Sequence, residues 1–164
     1  MPPSVIAQNG REFSCFPAAV LVIVVNDDRE VLVFSRDVGE YVIVAGGVES
    51  DETILDAALR ELKEEAGEAL TVKPVGIAHV HTFHYDDQVR NMISIYYAMK
   101  YQAGDVIPGD DMADAAYQWM PIDDLVATEL KIPDGQKWIL ERAASLVDAY
   151  GEDTAPLEYS AQET

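Results

Sequence analysis

The chain of 164 residues contains one cysteine, Cys15, so no disulfide can close within it and a packed core must hold the fold. Basic residues are scarce: 11 Lys and Arg stand against 30 Asp and Glu, a formal charge of −19. That imbalance argues against nucleic acid, duplexes included, and against anionic membranes as partners, because both are themselves polyanions. Long hydrophobic runs are missing as well. The most apolar stretch, Phe16 to Val25, is too short to cross a bilayer. The N-terminus has no basic segment leading into an apolar one, as a signal peptide would. With the lone cysteine, these absences give the expectation of a cytoplasmic protein.

What is present reads as one domain. Residues 1–11 form an expected flexible arm, residues 12–150 a single domain, and residues 151–164 an acidic, Pro-containing tail expected to be disordered. The β-branched run Phe16–Asn26, the turn Asn26-Asp27-Asp28 and the run Glu30–Arg36 predict a buried strand pair. Tyr41–Ala45 predicts a short strand, and Leu70–His84 and Gln88–Tyr101 two long ones joined at Tyr85-Asp86-Asp87. An acidic Gly- and Pro-containing loop, a strand at Ala115–Met120, a short helical turn from Pro121 and an amphipathic helix at Gln136–Tyr150 follow. Strands interleaved with two main helices predict an α/β sandwich.

The most informative segment is GGVESDETILDAALRELKEEAG, from Gly46 to Gly67. A helix over Asp51–Ala66, capped by Ser50 or Asp51 and ended by Gly67, sets Glu61, Glu64 and Glu65 within about a 100° arc. Leu55, Leu59, Leu62 and Ala66 form an apolar stripe on the opposite side, the expected docking face. Like charges at this spacing repel by a few tenths of a kcal/mol each unless a cation joins them. Oxygen-only ligands suit Mg²⁺, Mn²⁺ or Ca²⁺ rather than Zn²⁺, and such ions act on phosphates. The bland alternative is a solvated acidic face on an acidic protein.

Gly46, Glu52, Arg60, Glu61, Leu62, Glu64, Glu65 and Gly67 fit the pattern G-x5-E-x7-R-E-U-x-E-E-x-G, with U a bulky aliphatic residue, and the segment resembles the Nudix hydrolase box. A chance match at one start point is on the order of one in a billion. Two positions depart from the family pattern: Glu68 replaces an aliphatic residue, and Asp51 stands where many members carry glycine. The resemblance implies a Nudix-type α/β/α sandwich, a mixed sheet with the box loop and helix packed against it. It implies that Glu61, Glu64 and Glu65, with the backbone carbonyl of Ala45, hold Mg²⁺ or Mn²⁺. Arg60 and Glu52 would orient those carboxylates, and Gly46 and Gly47 would let the loop lie close to the helix. The implied reaction is hydrolysis of a diphosphate linkage in a small phosphate-anhydride substrate, a nucleoside diphosphate derivative. The implied alternative is a Nudix-fold module that binds a nucleotide without cleaving it; such modules usually lose box carboxylates, and here all are present. The family also allows a homodimer.

Other features extend this reading. Asp111 and Asp114, upstream of the Trp119 strand, match a carboxylate that in many Nudix enzymes reaches the metals or acts as base. Arg36, His81, Tyr85 and Arg90 are candidate substrate contacts, with Arg11 and Lys100 as further basic groups. His79 and His81 share a strand face at a spacing known from transition-metal sites, but the favoured reading is polar residues beside the cleft. Past the box, the proline that marks ADP-ribose subgroups is missing, and His84 and Tyr85 stand there instead.

Overall fold

A computed structural model describes residues 3–37, 40–125 and 137–152. Chain order is β1 (Ser4–Ile6), β2 (Glu12–Ser14), β3 (Ala18–Val25), β4 (Glu30–Ser35), β5 (Val44–Gly47), α1 (Ile54–Ala66), β6 (Thr71–Phe83), β7 (Met92–Ala103), β8 (Ala116–Pro121) and α2 (Lys137–Tyr150). Short 3₁₀ turns at Asp110–Met112 and Ile122–Asp124 flank β8. β1 and β2 pair as a separate hairpin at the N-terminus, which sequence reasoning read as a loose arm. The predicted tail lies, from residue 153 onward, outside the described residues.

The main sheet runs β6-β7-β3-β4-β8, with β5 also paired to β3. β3 lies parallel to β7, and the other pairings are antiparallel. β3 is apolar throughout because both its faces are covered. Val20, Val22 and Val24 pack with α1, while Leu21, Ile23 and Val25 pack with α2. The result is the α/β/α sandwich. One edge of β3 is shared: its end meets β4 at Val25↔Val31, and its start meets β5 from Ala19↔Gly47 to Val22↔Val44. Gly46 and Gly47, expected in a loop, therefore belong to a strand whose hydrogen bonds fix their position.

Helix α1 starts later than the sequence suggested. Thr53, not Ser50 or Asp51, is the N-cap: its Oγ1 accepts from Asp56 N at 3.1 Å, and Asp56 Oδ2 accepts from Thr53 N at 3.1 Å. This reciprocal capping box satisfies two otherwise orphaned donors, which Ser50 is too far upstream to reach. Asp51 instead sits in the approach to the helix with φ 70°, a left-handed conformation natural to glycine and tolerated by aspartate. That explains glycine as the family choice there.

The buried face of α1 is also corrected. Ala57, Ala58, Glu61, Leu62, Glu65 and Ala66 are buried, whereas Leu55 and Leu59 are only partly covered. The two alanines let the helix approach the sheet closely, so the carboxylate face is turned inward rather than away from the core. Glu68 is exposed, and Leu70 and Val106 fill the core beside Ala66.

Removing the cap should weaken the platform. Thr53→Ala is expected to cost about 1 kcal/mol and lower Tm by about 2–4 °C. Thermal denaturation measures it; an unchanged Tm would mean the capping box does not secure the helix.

Candidate functional site

Arg60 is the centre of the site. Its Nε donates to Glu52 Oε2 at 3.1 Å, and its Nη2 donates to Glu52 Oε1 and to the Gly47 carbonyl, both at 2.9 Å. Its Nη1 donates to Glu61 Oε1 at 2.7 Å and to Glu64 Oε2 at 3.1 Å. All five guanidinium donors are thus engaged. This network raises the Arg60 pKa further above its ordinary value, the hydrogen bond from Glu52 contributing most and that from Glu61 next. The hydrogen bond from Arg60 holds the Glu52 carboxyl below its ordinary range, helped by Glu49 N, which donates to Glu52 Oε1 at 2.6 Å.

The glycines have distinct tasks. A Cβ at Gly46 would collide with the Glu61 carboxylate, so glycine there makes room for that side chain. A Cβ at Gly47 would meet nothing within 4 Å. The use of Gly47 is its carbonyl, which Arg60 holds. Glu65 is 2% exposed, and its Oε2 accepts from Ala45 N at 3.0 Å. Its pKa is pushed up to about 7 by burial, with the charges of Glu61, Asp111 and Asp110 adding to the effect and the Ala45 hydrogen bond opposing it.

The acidic loop arrives by a backbone latch. Ile107 N donates to Ala66 O at 2.8 Å and Gly109 N to Glu65 O at 3.1 Å, satisfying carbonyls left open at the C-terminus of α1. Gly109 fits against the Glu64 carbonyl, where a Cβ would clash. The 3₁₀ turn that follows brings Asp110 and Asp111 to Glu65. Asp114 is exposed beyond that turn and does not line the cleft.

A cleft of about 660 Å³ opens beside these carboxylates. Ala45, Gly46, Gly47, Glu65 and Asp111 line one part of it; Arg36, Asp37 and Glu40 another; and Leu21, Phe83, Tyr85, Met92 and Met112 give it apolar walls. The Phe83 and Tyr85 rings meet edge to face with centroids 6.2 Å apart. Of the candidate substrate residues, Arg36 and Tyr85 line this cleft. His81 does not: its ring stacks on Tyr96 at 5.5 Å and lies 5.2 Å from His79, which meets Trp138 at 4.8 Å. Arg90 lines a second hollow with Cys15, Phe16 and the β6–β7 turn. Lys100 pairs with Asp27 at 3.2 Å and with Glu152, and Arg11 covers the Phe13 ring at 5.0 Å, so neither basic group serves the cleft. Sequence reasoning missed Asp110, Asp37, Glu40 and Phe83. Only Phe83 had a signal, its two-residue spacing from Tyr85 on one strand face.

Among the described residues, no three His, Cys, Asp or Glu side chains are gathered as a ready metal cluster. The donor set nevertheless fits a hard divalent cation. Glu61 and Glu64 converge on a single cationic nitrogen of Arg60, and beside them the buried Glu65 carboxyl feels the Glu61 charge. All these donors are oxygens.

Fold and site together define an α/β/α sandwich with a carboxylate helix at the edge of a cleft. The NUDIX domain family model matches residues 16–142, and the chain belongs to the Nudix family. An ADP-ribose pyrophosphatase of Methanocaldococcus jannaschii is 29% identical over 105 residues, covering 62% of this chain and 61% of that relative, so the match spans less than two thirds of its length. An ADP-ribose pyrophosphatase from Streptococcus suis superposes with TM-score 0.62 at 17% identity, covering 80% of this chain and 91% of that one. The E. coli dihydroneopterin triphosphate pyrophosphohydrolase superposes with TM-score 0.55 at 21% identity, covering 80% and 96%. At these identities the two structures show the shared fold. Among the described residues no helix is long and apolar enough to cross a membrane.

The raised Glu65 pKa has a thermodynamic sign. Between pH 4.5 and about 7 the folded metal-free protein holds a proton that the unfolded chain releases. Stability therefore falls as pH rises through that window. Glu65→Gln abolishes the slope, a difference of about 2–3 kcal/mol between the window's ends. Denaturant titrations in chelator at several pH values measure it; parallel profiles for the two proteins would refute it.

Proposed function

We propose that the protein is a divalent-metal-dependent hydrolase that cleaves a diphosphate linkage in a nucleoside diphosphate derivative, such as a nucleotide, nucleotide sugar or dinucleoside polyphosphate. The observation carrying this reading is the convergence of Glu61 and Glu64 on one nitrogen of Arg60, beside buried Glu65 at the cleft. Glu61, Glu64, Glu65 and the Ala45 carbonyl would hold Mg²⁺ or Mn²⁺, which supplies neutralisation of phosphate oxygens and an activated water. Arg60 and Glu52 orient the carboxylates and restrain their mutual repulsion when the ion leaves. Asp111, on the rim beside Glu65, is the candidate to take a proton from the attacking water, with Asp114 the more remote alternative. The edge-to-face pair Phe83 and Tyr85 offers apolar ring surface to a base, and Arg36 a positive charge to a phosphate. The M. jannaschii relative's name, ADP-ribose pyrophosphatase, supports cleavage of a diphosphate as the reaction. Cytoplasmic action accords with a single free cysteine.

The test is release of phosphate monoesters from a panel of nucleoside triphosphates, nucleotide sugars, ADP-ribose and dinucleoside polyphosphates, with Mg²⁺, with Mn²⁺ and with chelator. Turnover of at least one class is expected, abolished by chelator. Glu64→Gln should lower kcat by about a hundredfold or more, since loss of even a group behind a metal ligand costs about 10–100-fold. A Glu64→Gln protein with full activity would overturn the proposal. Asp111→Asn should lower kcat by about 10²-fold, the usual scale of general base catalysis, leaving KM little changed. An intact rate in both Asp111→Asn and Asp114→Asn would remove these two residues as bases.

A further inference from the structure

We infer that the cleft sorts ligands by charge: it accepts a diphosphate diester bearing about two negative charges and a hydroxyl-rich group, and disfavours nucleoside triphosphates. This inference rests on the hydrolase reading above and narrows its substrate class.

The argument begins with the lining. Among the described residues, Asp37, Glu40, Glu65 and Asp111 line the cleft and Arg36 is its only Lys or Arg. Arg60 cannot supply the missing charge, because its five donors are already shared among Glu52, Glu61, Glu64 and the Gly47 carbonyl. The remainder of the chain offers no compensating field at a formal charge of −19. Bound divalent ions offset the diphosphate of either ligand equally. A triphosphate carries about two more negative charges than a diphosphate diester, and that excess meets carboxylates in a partly desolvated cleft, where repulsion is stronger than in water.

The same carboxylates are selective in the opposite sense for neutral groups. An ionised carboxylate only accepts hydrogen bonds, so it pairs with a hydroxyl and not with a phosphate oxygen. Asp37 is suited to that task. It follows β4 directly after Arg36, and its main-chain carbonyl is already held by Ser35 Oγ at 2.5 Å and Glu40 N at 3.2 Å. Adjacent residues therefore offer one cation for phosphate and one acceptor for hydroxyls.

The test compares pairs sharing a base: ADP-, UDP-, GDP- and CDP-glucose against the corresponding triphosphates, with saturating Mg²⁺. For the preferred base, kcat/KM for the sugar diphosphate should exceed that for the triphosphate by about tenfold or more. The ratio should shrink several-fold as ionic strength rises from about 0.02 M to about 0.5 M, because salt screens the repulsion. Asp37→Ala should move the two substrates in opposite directions, raising kcat/KM for the triphosphate and lowering it for the sugar diphosphate by about threefold each. A merely misfolded variant lowers both. A preference for the triphosphate, or a ratio indifferent to salt and to Asp37→Ala, overturns the inference while leaving the hydrolase intact. If no pair is turned over, the hydrolase reading has failed, and calorimetric binding of the same pairs decides the charge preference by itself.

Discussion

Carboxylates that repel one another must share a cation, and in this protein the guanidinium of Arg60 is the cation they share. Glu52, Glu61 and Glu64 come from the approach to α1 and from two of its turns, and without Arg60 their charges would push the helix start away from its body. The pairing also joins helix to sheet, because the same guanidinium holds the Gly47 carbonyl of β5. A planar fork with five fixed donors can do this; a lysine, with one point charge, cannot hold Glu52 bidentately and still reach the other three acceptors.

The inward turn of α1 follows from this arrangement and from two alanines. An ordinary amphipathic helix buries its leucines and solvates its carboxylates. Here Ala57 and Ala58 are wholly buried, which brings the backbone close to the sheet and carries Glu61 and Glu65 inside with it. Burial of the Glu65 charge is opposed by desolvation, and a single hydrogen bond from Ala45 offsets part of the cost. The helix therefore stores electrostatic tension where a strongly bound cation would relieve it. The latch of Ile107 and Gly109 onto the end of α1 adds Asp110 and Asp111 to the same tension.

Local features were legible in the sequence and assembled ones were not. The box residues, the two helices and the alternating burial of β3 follow from spacing and periodicity, which act over a few residues. The capping box was readable too, since Thr53 and Asp56 have the required three-residue separation, but nearer acidic and hydroxyl residues competed with it. The glycine strand, the inward helix face and the placement of His81 depend on what lies across the sheet. The β6 register shifts between Val75 and His79 decide which faces the histidines take, and no pattern in the chain announces them. The cleft was least legible of all: Leu21, Arg36, Glu65, Phe83 and Asp111 come from distant segments that only the tertiary fold unites.

The pairing of β5 with β3 bears on the lifetime of the site. Residues Val44 to Gly47 are bonded along the start of the central strand, which is covered on both faces. Amides in such a strand exchange with solvent only when a large cooperative unit opens. The glycines beside the carboxylates thus share the kinetics of the core and not of a surface loop. Ligands can come and go through the cleft while the backbone that presents the carboxylates stays closed, so the site is renewed from its open side alone.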